Sequence, residues 1–255
     1  GEVILRFNKV TFNYGHNHPI LDEVSFALRE GIKFTLMGQN GAGKSTLFSL
    51  ITGDQAPEDG AIHIRKGTTV AIAKQVVTPV QHEMTVLEYF ASAFNPSAGS
   101  FGSSQDKSGQ GKKVYDLDPR IAEVLQVVHL KASLTKKIKE FSGGQQARLL
   151  LAFALIQKPD ILLLDEPTNN LDKQGIEHLT KFLVEYPKTC IVISHDANFL
   201  NAFTHGVLYL DVFTHKLEQY VGNYVGVVKE ISARIERERR ENARLARDIA
   251  NRKFR

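Results

Sequence analysis

Branched and aromatic residues alternate along the first stretch of the chain, at Val3, Leu5 and Phe7 and again at Val10 and Phe12. This pattern predicts two short β-strands. The turn Tyr14-Gly15-His16-Asn17 follows, and residues 20–28 return as a further strand. The apolar run at 32–37 predicts a strand that leads through glycines into a helix. Short strands are expected at 61–64 and 69–72. The runs at 161–164 and 189–193 have the unbroken hydrophobicity of strands buried on both faces. Two closing strands are expected at 206–210 and 217–221. Residues 85–94 form a helix capped by Thr85, and residues 118–128 another with Asp118 as N-cap and Pro119 at the first helical position. In the latter, Ile121, Val124, Leu125 and Val128 make one apolar stripe. A strong helix is expected over 146–156. From Val225 onward the chain reads as one long helix with i,i+4 pairs Glu230/Arg234, Glu236/Arg240 and Asp248/Arg252. Its apolar stripe is thin: Val228, Ile231, Ile235, Leu245 and Ile249.

The 255 residues suffice for one large domain or two small ones, and 42% hydrophobic with 24% charged residues is ordinary for a soluble protein. No apolar run has the length of a membrane span and no secretory h-region opens the chain. The single cysteine, Cys190, excludes a disulfide framework and reads as a buried strand residue. A cytosolic location fits. Residues 229–255 hold ten basic and five acidic side chains, against 22 and 23 in the remainder, so the net charge of +4 resides in the C-terminal helix. That helix is either a solvated connector or a basic surface for a polyanion. Nine of the fifteen residues 97–111 are Ser or Gly, which predicts a flexible insertion at 95–114.

The chemistry centres on Gly38-Gln-Asn-Gly-Ala-Gly-Lys44-Ser45, which fits G-x-x-x-x-G-K-[ST] between a predicted strand and helix. That is the context of a phosphate-binding loop. Gly38, Gly41 and Gly43 can take positive φ, so that successive N–H groups converge on phosphate oxygens at a helix N-terminus. Lys44 would reach the β- and γ-phosphates and Ser45 would ligate Mg2+. The nucleotide-contacting set is thus Gly38, Asn40, Gly41, Ala42, Gly43, Lys44, Ser45 and Thr46. Tyr14 is either an adenine-stacking platform or an ordinary strand-end tyrosine. Gln75, just past a strand, is either a contact to Mg2+ or the attacking water, or a solvated side chain. Ser142, Gly143, Gly144 and Gln145 precede a helix, either to meet an anion or as a plain Ser cap and glycine turn. Asp165 and Glu166 end a buried strand. Strand alternation points them to opposite sides and so to separate roles, Asp165 toward Mg2+ and Glu166 as base for water. His195 ends the next strand, where parallel sheets place ligands, and is either a γ-phosphate contact or a helix N-terminal residue without chemistry.

Together these motifs resemble the nucleotide-binding domain of the ATP-binding cassette superfamily over roughly residues 3–224. Residues 38–45 match its Walker A loop, Gln75 the Q-loop and 161–166 Walker B with the catalytic glutamate. Leu171-Asp172 matches the D-loop and His195 the switch histidine. Residues 141–145 match the signature, with Phe141 in place of the usual Leu. The resemblance implies an α/β P-loop NTPase with a mixed β core, an antiparallel β subdomain and a helical signature subdomain at about 80–157. The cassette would occupy 1–224 and a charged helix 225–255. It implies ATP and Mg2+ as cofactors, Glu166, His195, Lys44 and Gln75 as catalytic residues, and Ser45, Gln75 and Asp165 as metal contacts. It also implies that a second cassette closes the site, so that Ser142 to Gln145 serve the partner's nucleotide. The segments Asp165-Glu-Pro-Thr-Asn-Asn-Leu-Asp172, Ser194-His-Asp-Ala-Asn-Phe-Leu200 and Tyr220-Val-Gly-Asn-Tyr224 resemble the ABC-F class. Members of that class lack membrane domains, act mostly on ribosomes and carry two cassettes joined by a charged helical linker.

By this resemblance the helix from Val225 is the start of such a linker, a candidate contact to ribosomal RNA. The missing second cassette and initiating Met suggest a piece of a longer chain, and Ala197 departs from the Arg often found after the His-Asp pair. The competing expectation is the ATPase subunit of an ABC membrane transporter, which shares every catalytic motif. A nucleotide-gated module without catalysis is disfavoured by intact Lys44, Asp165, Glu166 and His195.

Overall fold

The computed structural model describes residues 1–15, 18–94 and 117–253, the last three by backbone alone. The expected insertion at 95–114 lies outside the described residues. Two sheets organise the chain. In the smaller, β1 (Val3–Asn13) pairs antiparallel with β2 (Pro19–Arg29) on one side and β4 (Asp59–Ile64) on the other. The two strands expected at its start are one. Pairing continues through Asn8 and Lys9 because the chain bulges there instead of breaking: the register shifts between Phe7 and Val10, and Lys9 takes a φ of 47°. The Lys9 N–H is satisfied by the Ser25 hydroxyl at 2.8 Å.

The larger sheet has the order β5-β6-β7-β3-β8-β9. Its members are β3 (Lys33–Gly38), β5 (Val70–Ile72), β6 (Ile161–Asp165), β7 (Thr189–Ile193), β8 (Gly206–Leu210) and β9 (Leu217–Val221). All neighbours are parallel except β8 and β9. The unbroken apolar runs follow from burial of both faces. Ile161, Leu163, Ile191 and Ile193 point into a core shared with the antiparallel sheet and α1 (Lys44–Thr52). Their neighbours Leu162, Leu164, Cys190 and Val192 point into a second core beneath the helices. The Cys190 thiol is fully buried, and that burial pushes its pKa up.

The second core is covered by α3 (Val86–Ser92), α4 (Leu117–Val127), α5 (Gly143–Ile156), α6 (Lys173–Glu185) and α7 (Ala197–Phe203). The short α2 (Pro79–His82) was not expected from the sequence, nor were α6 and α7, although each starts on a sequence-visible cap: Thr78, Asp172 and Asp196. Leu117, the first described residue of α4, is already helical, so Asp118 lies inside the helix and is not its N-cap. A carboxylate there still favours the positive helix end. Ile121, Val124, Leu125 and Val128 are buried as one stripe.

The C-terminal helix α8 (Tyr224–Lys253) has two parts. Val227 and Ile231 are buried against Val207 and Tyr209, with Met37 and Ile235 at the edge. Val227, not the expected Val228, is the deeper residue, because the helix turns that face onto β8. From Glu236 to Ala250 every side chain is exposed. Arg234 does not pair with Glu230. It reaches back to Glu218 and the Tyr220 hydroxyl on β9 and approaches Glu238 at 3.5 Å, which fastens the helix to the sheet. Arg240 and Glu236 pair at 3.5 Å; the Asp248/Arg252 pair lies outside the described side chains. Among the described residues, no helix is long and apolar enough to cross a membrane.

Candidate active site

The carboxyl ends of β3, β6 and β7 meet at one edge of the larger sheet, the place where a parallel sheet leaves strand ends open to a ligand. The glycine loop connects β3 to α1 there. Gly41 and Gly43 adopt φ values of 83° and 100°, which only glycine takes without strain. Gly38 does not have positive φ, contrary to expectation. It is needed for close approach, since a Cβ there would lie 2.7 Å from the Leu210 carbonyl oxygen of the adjacent strand. Gly43 meets both demands, because a Cβ would also sit 2.3 Å from Cγ2 of Ile20. The Lys44 ammonium curls over the loop and donates to the carbonyls of Gly38 at 2.5 Å and Gln39 at 3.2 Å. Burial lowers its pKa, and the carboxylates of Asp165 and Glu166 oppose that shift.

Across the cleft, strand alternation fails in an informative way. Asp165 ends β6, but Glu166 leaves the strand with a φ of 48° while its N–H is held by the Ile193 carbonyl at 2.7 Å. Both carboxylates therefore line the same cleft. They keep different company. Asp165 accepts from the Gln75 amide at 3.2 Å, and burial raises its pKa against the pull of Lys44 and that hydrogen bond. Glu166 is 3.1 Å from Nε2 of His195, which is mostly exposed.

Tyr14 stands at the mouth. Its hydroxyl meets the Thr46 hydroxyl at 3.2 Å and the Gln55 amide nitrogen at 3.2 Å, contacts that hold its pKa down, and its ring sits edge-on to Phe12 at 5.1 Å. Tyr14, Asn40, Gly41, Gly43, Lys44, Ser45, Thr46, Asp165, Glu166 and His195 line one open cleft of about 570 Å³. Ala42 does not: its side chain is buried and its N–H is bonded to the Gln39 carbonyl. Gln75 lines an adjoining pocket that shares Asp165 and Glu166. Asn169 lines both, and Ile20 and Gln39 line the first; none of the three was singled out as a site residue from sequence. Asn169 was legible from its place just after the carboxylates, whereas Ile20 arrives from β2 and carries no local signal.

Ser142 to Gln145 stand apart from this cleft. The Ser142 hydroxyl accepts from the Gln145 N–H and the Gln145 side chain accepts from the Ser142 N–H, a reciprocal cap on α5. Capping does not account for the glycines. A Cβ on Gly143 would meet nothing within 4 Å, and one on Gly144 only the Asn170 amide oxygen at 4.0 Å. Neither has positive φ, so nothing among the described residues requires glycine at the exposed helix start.

Among the described residues no group of three or more His, Cys, Asp or Glu side chains is arranged to hold a metal. The donor set of Ser45, Asp165 and Gln75 consists of hard oxygens, one of them a half-buried carboxylate. That suits a Mg2+ ion completed by phosphate and water better than a dedicated protein cage.

The sequence model of the ABC transporter family matches residues 21–169, and the chain belongs to this family. It is 30% identical to the ABC transporter ATP-binding protein YkpA of Bacillus subtilis strain 168, over 87% of this chain and 44% of that one. It is 33% identical to the ATP-binding protein YheS of Escherichia coli strain K12, over 86% and 31% respectively. The energy-dependent translational throttle protein EttA of Mycobacterium tuberculosis strain CDC 1551 / Oshkosh is 28% identical, over 96% of this chain and 47% of its own. The chain thus spans less than half the length of these relatives. Its fold is that of solved cassettes. An ATP-binding subunit of an ABC transporter superposes with a TM-score of 0.70 at 21% identity, covering 90% of this chain and 93% of that one. A dimeric post-hydrolysis cassette bound to ADP and phosphate gives 0.66 at 23% identity, covering 86% and 98%. The chain is an ATPase cassette with an antiparallel β subdomain and a mixed sheet.

Proposed function

We propose that this cassette binds ATP in the cleft between the glycine loop and Glu166, hydrolyses it when paired with a second cassette, and couples that closure to action on the ribosome. The observation that carries the hydrolytic part is the left-handed turn at Glu166, which brings a second carboxylate, seated on His195, to face Lys44. Backbone N–H groups of the glycine loop and the Lys44 ammonium hold the phosphates, and the Tyr14 ring, fixed by Thr46 and Gln55, offers a face to the base. Glu166 takes the proton of the water that attacks the γ-phosphate, and His195 orients Glu166 or the γ-phosphate. Ser45, Asp165 and Gln75 would hold a Mg2+ ion, which would supply charge neutralisation at the phosphates when bound. The exposed Ser142-Gly143-Gly144 start of α5, with glycines that nothing among the described residues requires, fits the close approach of another cassette's nucleotide.

The ABC-F assignment is supported by the likeness to EttA and by the exposed, Arg-rich end of α8, anchored to the cassette through Arg234. A transporter ATPase subunit is the second reading, supported by the exposed apolar side chains of Val76 and Val80 beside Gln75. Ribosome co-sedimentation of a Glu166→Gln form of the protein that carries this cassette separates the two. ATP-dependent pelleting that weakens when Arg237, Arg239, Arg240, Arg244 and Arg247 are neutralised, and falls with added salt, is the expected result. ATP binding without pelleting would transfer the assignment to a membrane partner.

A further inference from the structure

Arg148 lies on the second turn of α5, one turn beyond Ser142 to Gln145, and no motif described above uses it. Its guanidinium spans three elements. Nε donates to the Asn170 carbonyl at 2.8 Å, in the segment that follows Glu166. One terminal nitrogen donates to the His129 carbonyl at 3.0 Å, at the end of α4, where His129 takes a φ of 51°. The His129 ring closes the circuit, its Nδ1 lying 2.7 Å from a carboxylate oxygen of Asp172. The other oxygen of Asp172 caps α6 through the Gly175 N–H at 2.8 Å. Arg148 also lines the pocket of Gln75, Asp165 and Glu166, and the Asn170 amide oxygen lies 4.0 Å from where a Cβ on Gly144 would stand.

We infer that Arg148 is a positioning residue that fixes the Ser142–Gln145 helix start to the Asn169–Asp172 segment, so that the surface offered to a partner moves with this chain's own hydrolytic carboxylate. The planar fork matters more than the charge. Nε and a terminal nitrogen, set apart in one rigid plane, meet carbonyls on separate elements, a spacing that the single nitrogen of a lysine does not reproduce. Because both acceptors are neutral carbonyls, the two hydrogen bonds act through placement of the backbone.

This inference rests on the cleft being a nucleotide site, and the test separates the two. Nucleotide affinity is measured first by fluorescence titration with MgATP. Amide hydrogen exchange is then compared with and without MgATP, at a concentration where light scattering shows a single chain. In the wild type, nucleotide slows exchange both at 166–172 and at 142–148, by about fivefold at the latter, the lower end of usual coupling between sites. In Arg148→Ala, protection at 166–172 persists with unchanged affinity, while the ratio at 142–148 returns to about one. Arg148→Lys, which keeps the charge and most of the packing, gives an intermediate ratio and guards against misfolding of the Ala variant. Under conditions of turnover, kcat falls with KM unchanged, and Glu166→Gln masks the effect because both act on the same step. Full linkage retained in Arg148→Ala, or none in the wild type, overturns the inference alone. Absence of nucleotide binding in the wild type overturns it together with the functional reading.

Discussion

Replacing Glu166 by Gln removes one proton acceptor and almost nothing else. The side chain is 21% exposed, the amide is isosteric with the carboxylate, and its oxygen can still accept from His195 Nε2 at the present 3.1 Å. The left-handed backbone at φ 48° strains either residue equally, so stability changes by less than about 0.5 kcal/mol. Nucleotide affinity stays the same or tightens, because one negative charge facing the phosphates is lost. The rate is where the change appears. General base catalysis is worth about 10²–10⁴-fold, which is about 3–5 kcal/mol of barrier. The assay is phosphate release at saturating MgATP, run beside a nucleotide titration and a thermal melt on the same preparation. A Gln variant that melts and binds like the wild type but turns over within about threefold of it would refute Glu166 as the base.

The two loop glycines should respond differently to alanine. Gly43→Ala meets Ile20 and a φ of 100°, so it costs about 2 kcal/mol or more in melting stability and abolishes ATP binding. Gly41→Ala meets only its φ of 83° and costs about 1 kcal/mol. His205 accepts the Lys33 N–H on Nδ1 at 3.0 Å, and burial, followed by the Lys33 charge, lowers its pKa. The folded state therefore resists protonation: the stability it supplies is complete above the ordinary histidine range near pH 6.5 and is lost as pH falls below it. His205→Asn should flatten the dependence of Tm on pH between about 7.5 and 5.5, and an unchanged slope would discount the residue. Arg234→Ala should cost only about 1 kcal/mol globally, since the pair is partly solvated, yet it should accelerate hydrogen exchange at 224–235. Unaltered exchange there would mean that Val227 and Ile231 hold the helix without Arg234.

Much of the architecture was legible because burial on both faces leaves an unbroken apolar run, and because caps such as Thr85 are local signals. The phosphate loop was legible for the same reason: its glycines, lysine and serine are contiguous. What escaped is non-local. The β1 bulge at Lys9 depends on pairing with Ser25, and Gly38 is required by a carbonyl 172 residues away, not by its own φ. Asp165 and Glu166 were expected on opposite sides because alternation assumes that the strand continues, whereas the Ile193 carbonyl holds Glu166 in a turn. Helix α6 keeps Ile176, Leu179 and Leu183 at helical spacing behind the Asp172 cap, but Gly175 and the surrounding charges mask that pattern in the sequence. Arg148 gave no sign at all, since its partners are main-chain carbonyls that only the folded chain brings within reach.

In the proposed mechanism, hydrolysis needs one chain's Lys44 and Glu166 and another's Ser142–Gln145 surface. Mixing two inactive variants tests it most directly. Lys44→Ala disables a chain's own nucleotide site. Gly144→Asp places a carboxylate at the helix start, where the dipole favours it and a Cβ has room, but where a partner's phosphates would be repelled. Phosphate release is measured for the wild type, each variant and an equimolar mixture. Each variant alone should be inactive, and the mixture should recover about a quarter of wild-type turnover, from mixed pairs with one intact site of two. A mixture as inactive as its components beside an active wild type, or full activity of Gly144→Asp alone, would contradict it.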